Sequence, residues 1–127
     1  MKVVAFNASP NREVGTTAII LNPLLKGMES EGAEIILRNT YDMRIEACLG
    51  CTNRLDFTSD HHCIINDDLK EIYPTMREAE LWIFASPNYL NSDASGLKNL
   101  FDRLEPLFAM PDISNGNFSN MEQALQD

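Results

Sequence analysis

The sequence predicts an α/β domain, a parallel sheet of about three strands with flanking helices. Three observations carry this. Short apolar runs alternate with longer segments in which apolar residues recur at helical spacing. Their order is strand, helix, strand, loop, helix, strand, helix, the pattern of parallel sheets whose right-handed crossovers place helices on both faces. The first and third runs each end in a loop rich in Ser, Pro and Asn, and open parallel sheets bind ligands outside the carboxyl ends of such strands.

The elements follow in chain order. Residues 3–6 form the first strand. Thr16 or Thr17 is expected to cap a helix running to about residue 30, with Ile19, Ile20, Leu24 and Met28 as its apolar face. Pro23 removes a backbone donor and crowds the carbonyl of Ile19, at a cost of about 3 kcal/mol. A kink is therefore expected there, or a restart with Asn22 as cap and Pro23 at the first helical position. Gly32 stops the helix and residues 34–38 form the second strand. Residues 40–63 show no clean period, and long irregular connections are usually functional. Asn66 or Asp67 caps a second helix with Leu69, Ile72, Tyr73 and Met76 inward, which Pro74 should bend or delay. Residues 81–85 form the third strand, with Trp82 and Phe84 expected in the core. Leu97, Leu100, Phe101 and Leu104 define a third helix ended by Pro106. Beyond Ala109 the chain turns polar, with a helical turn expected over residues 121–125.

A chain of 127 residues fits one domain, and 44% hydrophobic residues are too many for a disordered one. The net charge of −9 argues against nucleic acid and against anionic membrane surfaces. The start of the chain goes directly into a strand pattern with no long apolar stretch, and three Cys is an odd number. A cytoplasmic location with reduced thiols is the expectation.

Two loops carry the candidate chemistry. The first, Ser9-Pro10-Asn11-Arg12-Glu13-Val14-Gly15-Thr16-Thr17, offers hydroxyls, backbone N–H groups and one Arg at a helix N-terminus, which suits a phosphate. Ser9, Asn11, Arg12, Gly15, Thr16 and Thr17 are its candidate binding residues; without a ligand it is an ordinary strand-to-helix loop. The second, Ser86-Pro87-Asn88-Tyr89-Leu90-Asn91, suits the edge and face of a flat ring; its bland reading is a turn made by Pro87 and Asn88. A phosphate and a ring together indicate a nucleotide-like cofactor. Lys98 and Arg103, beside Asp102 and Glu105, read as a solvated helix face with local ion pairs.

Cys48, Cys51 and Cys63 are the remaining candidates. The spacing of Cys48 and Cys51 lets two thiolates reach one metal, and His61 or His62 could complete a zinc set with Cys63. Reduced, packed thiols and solvated histidines are the simpler reading, and no metal is assigned.

The two loops, with Gly96-Leu97-Lys98 and Asp102-Arg103 on the following helix, resemble the NADPH-dependent FMN reductase family, within it the iron-sulfur flavoprotein branch. The resemblance runs from about residue 2 to residue 107. It implies a flavodoxin-like doubly wound sheet, incomplete here, in a single domain over residues 1–127 that lacks the last strands. It implies FMN as cofactor, NAD(P)H and a further electron acceptor as partners, and the two loops as the flavin site. Three departures stand out. Thr16 replaces the family's Asn, Arg54 replaces the third Cys of a Cys-x-x-Cys-x-x-Cys segment, and the fourth strand is missing. Guanidinium has no lone pair to donate, so this segment alone cannot supply four cysteine ligands to an iron-sulfur cluster. The edge left by the third strand implies a homo-oligomer. Two readings compete with the oxidoreductase: a truncated, non-catalytic interaction protein, and a small metal-binding redox module built on the cysteine loop.

Overall fold

The computed structural model describes residues 1–51 and 63–108. Arg54, His61, His62 and the expected turn over residues 121–125 lie outside the described residues.

Strand β1 (Lys2–Asn7) is the middle of a three-stranded parallel sheet. Its Val3, Val4, Ala5 and Phe6 are fully buried, as a strand covered on both faces must be. Strand β2 (Glu34–Asn39) lies on one side and β3 (Leu81–Ala85) on the other, giving the order β2-β1-β3. The register brings Asn7 level with both Asn39 and Ala85, so all three strands end at one rim. This is the parallel three-stranded sheet expected from the sequence.

Helix α1 (Thr16–Ser30) covers one face, where Leu21 and Leu25 pack with Ala5, Ile35, Leu37, Ile83 and Ala85. Helices α2 (Leu69–Glu78) and α3 (Ser95–Asp102) cover the other, around Val4, Phe6, Trp82 and Phe84. The Phe6 and Phe84 rings stack with centroids 5.6 Å apart, and Phe101 meets Phe84 edge-on at 4.9 Å. Trp82 is in this core as expected, its Nε1–H donating to the Met76 carbonyl at 2.8 Å.

Several local expectations are corrected. The inward face of α1 is Ala18, Leu21 and Leu25, while Ile19, Ile20 and Leu24 are 68%, 72% and 52% exposed. The segment is apolar nearly all round, so periodicity alone could not orient it. No restart occurs at Pro23; the helix runs through it. Pro23 and Ile19 are exposed, so water can satisfy the carbonyl that loses its donor. Pro74 likewise sits inside α2, four residues after exposed Lys70. Thr16 and Thr17 do not cap α1: Gly15 holds the cap position, with no side-chain cap bond. At α2 the cap position is Asp68, which makes no side-chain cap bond; the expected Asp67 lies one residue earlier, its Oδ1 accepting the Leu69 N–H at 3.2 Å.

Candidate functional site

The first loop leaves β1 at the rim and folds back on itself. Asn7 Oδ1 accepts the Ser9 N–H at 3.0 Å, and Asn7 Nδ2 donates to the Arg12 carbonyl at 3.1 Å. Ser9 Oγ accepts the Asn11 N–H at 3.2 Å. Ser9 is buried, Asn11 and Thr16 exposed, and Thr17 half-buried. Gly15 closes the turn: a Cβ there would stand 2.8 Å from Asn11 Cβ and 3.1 Å from Ser9 Oγ, so only glycine fits. The first backbone bonds of α1 run from Ala18 and Ile19 N–H to the Gly15 carbonyl. The N–H groups of Thr16 and Thr17 precede that ladder and point out of the helix start. The loop therefore presents hydroxyls and amides around a glycine, a set that suits an anion.

Arg12 behaves differently from the free cation the sequence suggested. Its backbone is left-handed, with φ 47°. Its guanidinium is held by Asp42 and by the carbonyls of Pro10 and Tyr41, which follow the first and second strands. The charge is thus largely matched by Asp42, and Arg12 ties the first loop to the turn at Thr40–Asp42.

The second loop lies against the first. The Ala8 N–H donates to the Ala85 carbonyl at 2.7 Å, joining the two strand exits. Residues 86–94 then form a small hairpin, which differs from the simple turn at Pro87 and Asn88 of the bland reading. Strand β4 (Asn88–Tyr89) pairs antiparallel with β5 (Ser92–Asp93), and Leu90 and Asn91 at the tip are both left-handed, with φ 49° and 61°. Asn88, Tyr89, Leu90 and Asn91 are exposed, Ser86 and Pro87 half-buried. Ser86 Oγ accepts the Ala94 N–H at 2.9 Å and so fixes the hairpin to the start of α3. The twelve residues named from the sequence therefore sit on two adjoining loops, with Thr16 and Thr17 in the first turn of α1, at one rim of the sheet.

Two features were missed. Gly96 lets α3 approach the turn after β2: a Cβ would stand 2.8 Å from Thr40 Oγ1 and from the Tyr41 ring. Near that turn and in the hairpin, Asn39 Oδ1, Thr40 Oγ1 and Asp93 Oδ2 are buried without a hydrogen-bond partner. The second feature is Arg103. It is not on a solvated face but buried in a two-pronged pair with Asp67, Nη1 to Oδ2 at 2.7 Å and Nη2 to Oδ1 at 3.0 Å. Nη1 also donates to the Glu46 carbonyl, and Asp67 Oδ2 accepts the Glu46 N–H. Burial raises the Asp67 carboxyl, but the Arg103 and backbone donors outweigh it and hold the group below its ordinary value. The sequence did carry a signal: Arg103 falls between Leu100 and Leu104 on the apolar stripe. By contrast Lys98 and Asp102 form the exposed i,i+4 pair expected.

Cys48, Cys51 and Cys63 are free thiols. Among the described residues no group of three His, Cys, Asp or Glu is placed to hold a metal. No described helix is long and apolar enough to cross a membrane.

Comparison with known proteins agrees with this geometry. The NADPH-dependent FMN reductase model matches residues 1–120. An iron-sulfur flavoprotein of Methanocaldococcus jannaschii is 34% identical over 107 residues, covering 84% of this chain and 53% of the relative. One from Methanosarcina thermophila is 33% identical over 106 residues, covering 81% and 52%. The chain thus spans about half the length of these curated relatives. Among solved structures, NAD(P)H:quinone oxidoreductase from Methanothermobacter marburgensis superposes with a TM-score of 0.69 at 20% identity, covering 87% of this chain and 56% of that one. Azoreductase AzrA gives 0.57 at 11% identity, covering 88% and 57%. These neighbours share the flavodoxin-like fold. FMN is the cofactor that goes with the family, and the glycine-closed loop of hydroxyls and amides fits its phosphate. On the family model and the relatives together, the chain belongs to the NADPH-dependent FMN reductase family.

Proposed function

We propose that this chain is the flavin-binding part of an oxidoreductase that takes electrons from NAD(P)H and passes them through FMN to a second acceptor. The observation that carries the reading is the contact between the two strand exits, Ala8 N–H to Ala85 carbonyl. It sets a loop suited to a phosphate beside a loop suited to a ring, on adjacent strands of one sheet. Ser9, Thr16 and Thr17 would hold the phosphate through hydroxyls and helix-start amides, with Gly15 leaving room. Arg12 and Asn11 would shape the loop, Arg12 through its tie to Asp42. Ser86, Pro87, Asn88, Tyr89, Leu90 and Asn91 would border the ring. Bound flavin supplies hydride acceptance and one- or two-electron transfer; the protein's part is placement, and no catalytic side chain is assigned. A cytoplasmic location and a homo-oligomeric state belong to the same proposal.

The test is an FMN titration followed by flavin fluorescence quenching. Saturable binding is expected, and Gly15→Ala should weaken it by roughly tenfold or more, the worth of a charge-assisted contact of about 1.5–3 kcal/mol. Binding that is absent from the folded wild-type chain would remove the flavin reading. It would favour an interaction protein, a role for which the exposed Ile19, Ile20 and Leu24 offer a surface.

A further inference from the structure

The first loop is braced from within by a buried side chain. Asn7 ends the central strand, level with Asn39 and Ala85, and is 2% exposed. It follows Val3, Val4, Ala5 and Phe6, all apolar and fully buried. A buried amide is costly in such a place unless both of its ends are paired. Here both ends turn to the loop: Oδ1 accepts the Ser9 N–H at 3.0 Å, and Nδ2 donates to the Arg12 carbonyl at 3.1 Å. The partners fix which end is which, since an N–H needs an oxygen and a carbonyl needs an N–H. One side chain therefore brackets residues 9 to 12. Arg12 is left-handed, with φ 47°, a conformation that a non-glycine residue keeps only where its surroundings over-determine it. The bond to its carbonyl is one such hold, and its guanidinium on Asp42 is another. The chain then returns so that Gly15 lies against Ser9, a Cβ on it standing 3.1 Å from Ser9 Oγ. Ser9 Oγ accepts the Asn11 N–H, which leaves the hydroxyl its own proton to donate.

We propose that Asn7 is a positioning residue for the phosphate: its amide sets the loop in its receiving shape before a flavin arrives. The proposal rests on the flavin reading above and adds a residue outside the two loops. Being buried, Asn7 acts only through Ser9 and Arg12. Those two bonds hold the Ser9 hydroxyl beside Gly15, the cap of α1, so that the donors an anion needs stand together with no ligand present. A loop already ordered loses less conformational freedom on binding and so binds more tightly. Without the amide, the phosphate itself would have to order the loop. A flavin that lacks the phosphate does not use this loop and gains nothing from the brace.

The experiment titrates FMN, and riboflavin, which lacks the phosphate, into the intact wild-type chain and into Asn7→Ala, each followed by flavin fluorescence quenching. Wild type should bind FMN more tightly than riboflavin. Asn7→Ala should lower FMN affinity roughly tenfold, as the loss of two neutral hydrogen bonds implies, and leave riboflavin affinity as it was. Wild type that binds both flavins equally, or neither, removes the phosphate reading and this proposal with it. Wild type that prefers FMN, beside a variant that keeps the same preference, overturns the proposal alone. A loss shared equally by both flavins is that same result and marks a merely structural residue. Circular dichroism checks that the variant folds. If it does not, amide exchange in the wild-type chain decides. The Ser9 amide should exchange slowly before any FMN is added; a Ser9 amide protected only when FMN is bound overturns the proposal.

Discussion

At the scale of the residue, the fold is fastened by a pair that composition hides. Asp67 and Arg103 are 36 positions apart and both buried, so each is tolerable only with the other. Together they join the loop at Glu46, the start of α2 and the end of α3. Asp67→Asn leaves Arg103 charged and buried without its counterion, and should cost about 3–5 kcal/mol, read as a lower urea midpoint at pH 7. The sign of the pH effect follows from the same contacts. The folded carboxyl titrates below its ordinary value of 3.8. Its contribution is therefore complete above the unfolded value and is lost as pH falls through the lower folded one. Wild type should then lose more stability than Asp67→Asn between neutral pH and about pH 3; parallel losses would show that the pair does not titrate this way. Tyr73, pushed up to about 12 by burial first and by Cys63 next, stays a hydroxyl donor throughout this range.

At the scale of the element, what the sequence showed and what it hid divide along physical lines. Strand β3 and the inward residues Leu69, Ile72, Tyr73 and Met76 of α2 were legible, because a buried strand and an amphipathic helix impose clear periods. The face of α1 was not, since residues 18–21 are apolar almost without a break. The hairpin was hidden as well: its strands are two residues each, and Leu90-Asn91 lacks the glycine that marks such turns. The site loops were legible as loops because Ser, Pro, Gly and Asn cluster there. The tie of Arg12 to Asp42 was not, since it depends on how β2 is placed. The left-handed Leu90 is wholly exposed, so it gives up backbone energy and gains no packing. Leu90→Asn should stabilise the chain by about 0.5–1 kcal/mol, because Asn tolerates the left-handed region. A thermal melt checks this, and a lower midpoint would mean Leu90 has a packing partner. In the cysteine loop, Arg54 stands where a further ligand would be needed, so anaerobically purified protein should contain no stoichiometric iron or acid-labile sulfide. Finding both would require a ligand from elsewhere.

At the scale of the whole molecule, the described sheet has β3 at one side. The order β2-β1-β3 leaves β3 as an edge, and among the described residues nothing pairs with its outer side. Such an edge presents unpaired N–H and C=O groups that can take another strand. Apolar surface lies near it: Leu81 is 38% exposed, and Phe101 and Phe108, which pack on Phe84 and Trp82, are 41% and 57% exposed. Helix α1 adds Ile20 and Leu24 on the other face. Against association stands the net charge of −9 per chain, which repels copies at long range but is screened beyond roughly 10 Å at 0.1 M salt. Pairing along a strand edge acts at contact, so it should prevail as salt rises. The chain is therefore predicted to form a dimer or larger assembly at micromolar concentration, more so at higher salt. The probe should disturb the edge and spare the core. Trp82 is unsuitable, because its ring is held by Met76 and Phe108 beneath α2, and a charge there would unfold the chain before dissociating it. Leu81 is at the strand's exposed end, and a lysine on an edge strand opposes pairing. Sedimentation equilibrium should then show Leu81→Lys as a folded monomer beside an oligomeric parent; a parent that is itself monomeric would mean that the edge is covered from within the chain.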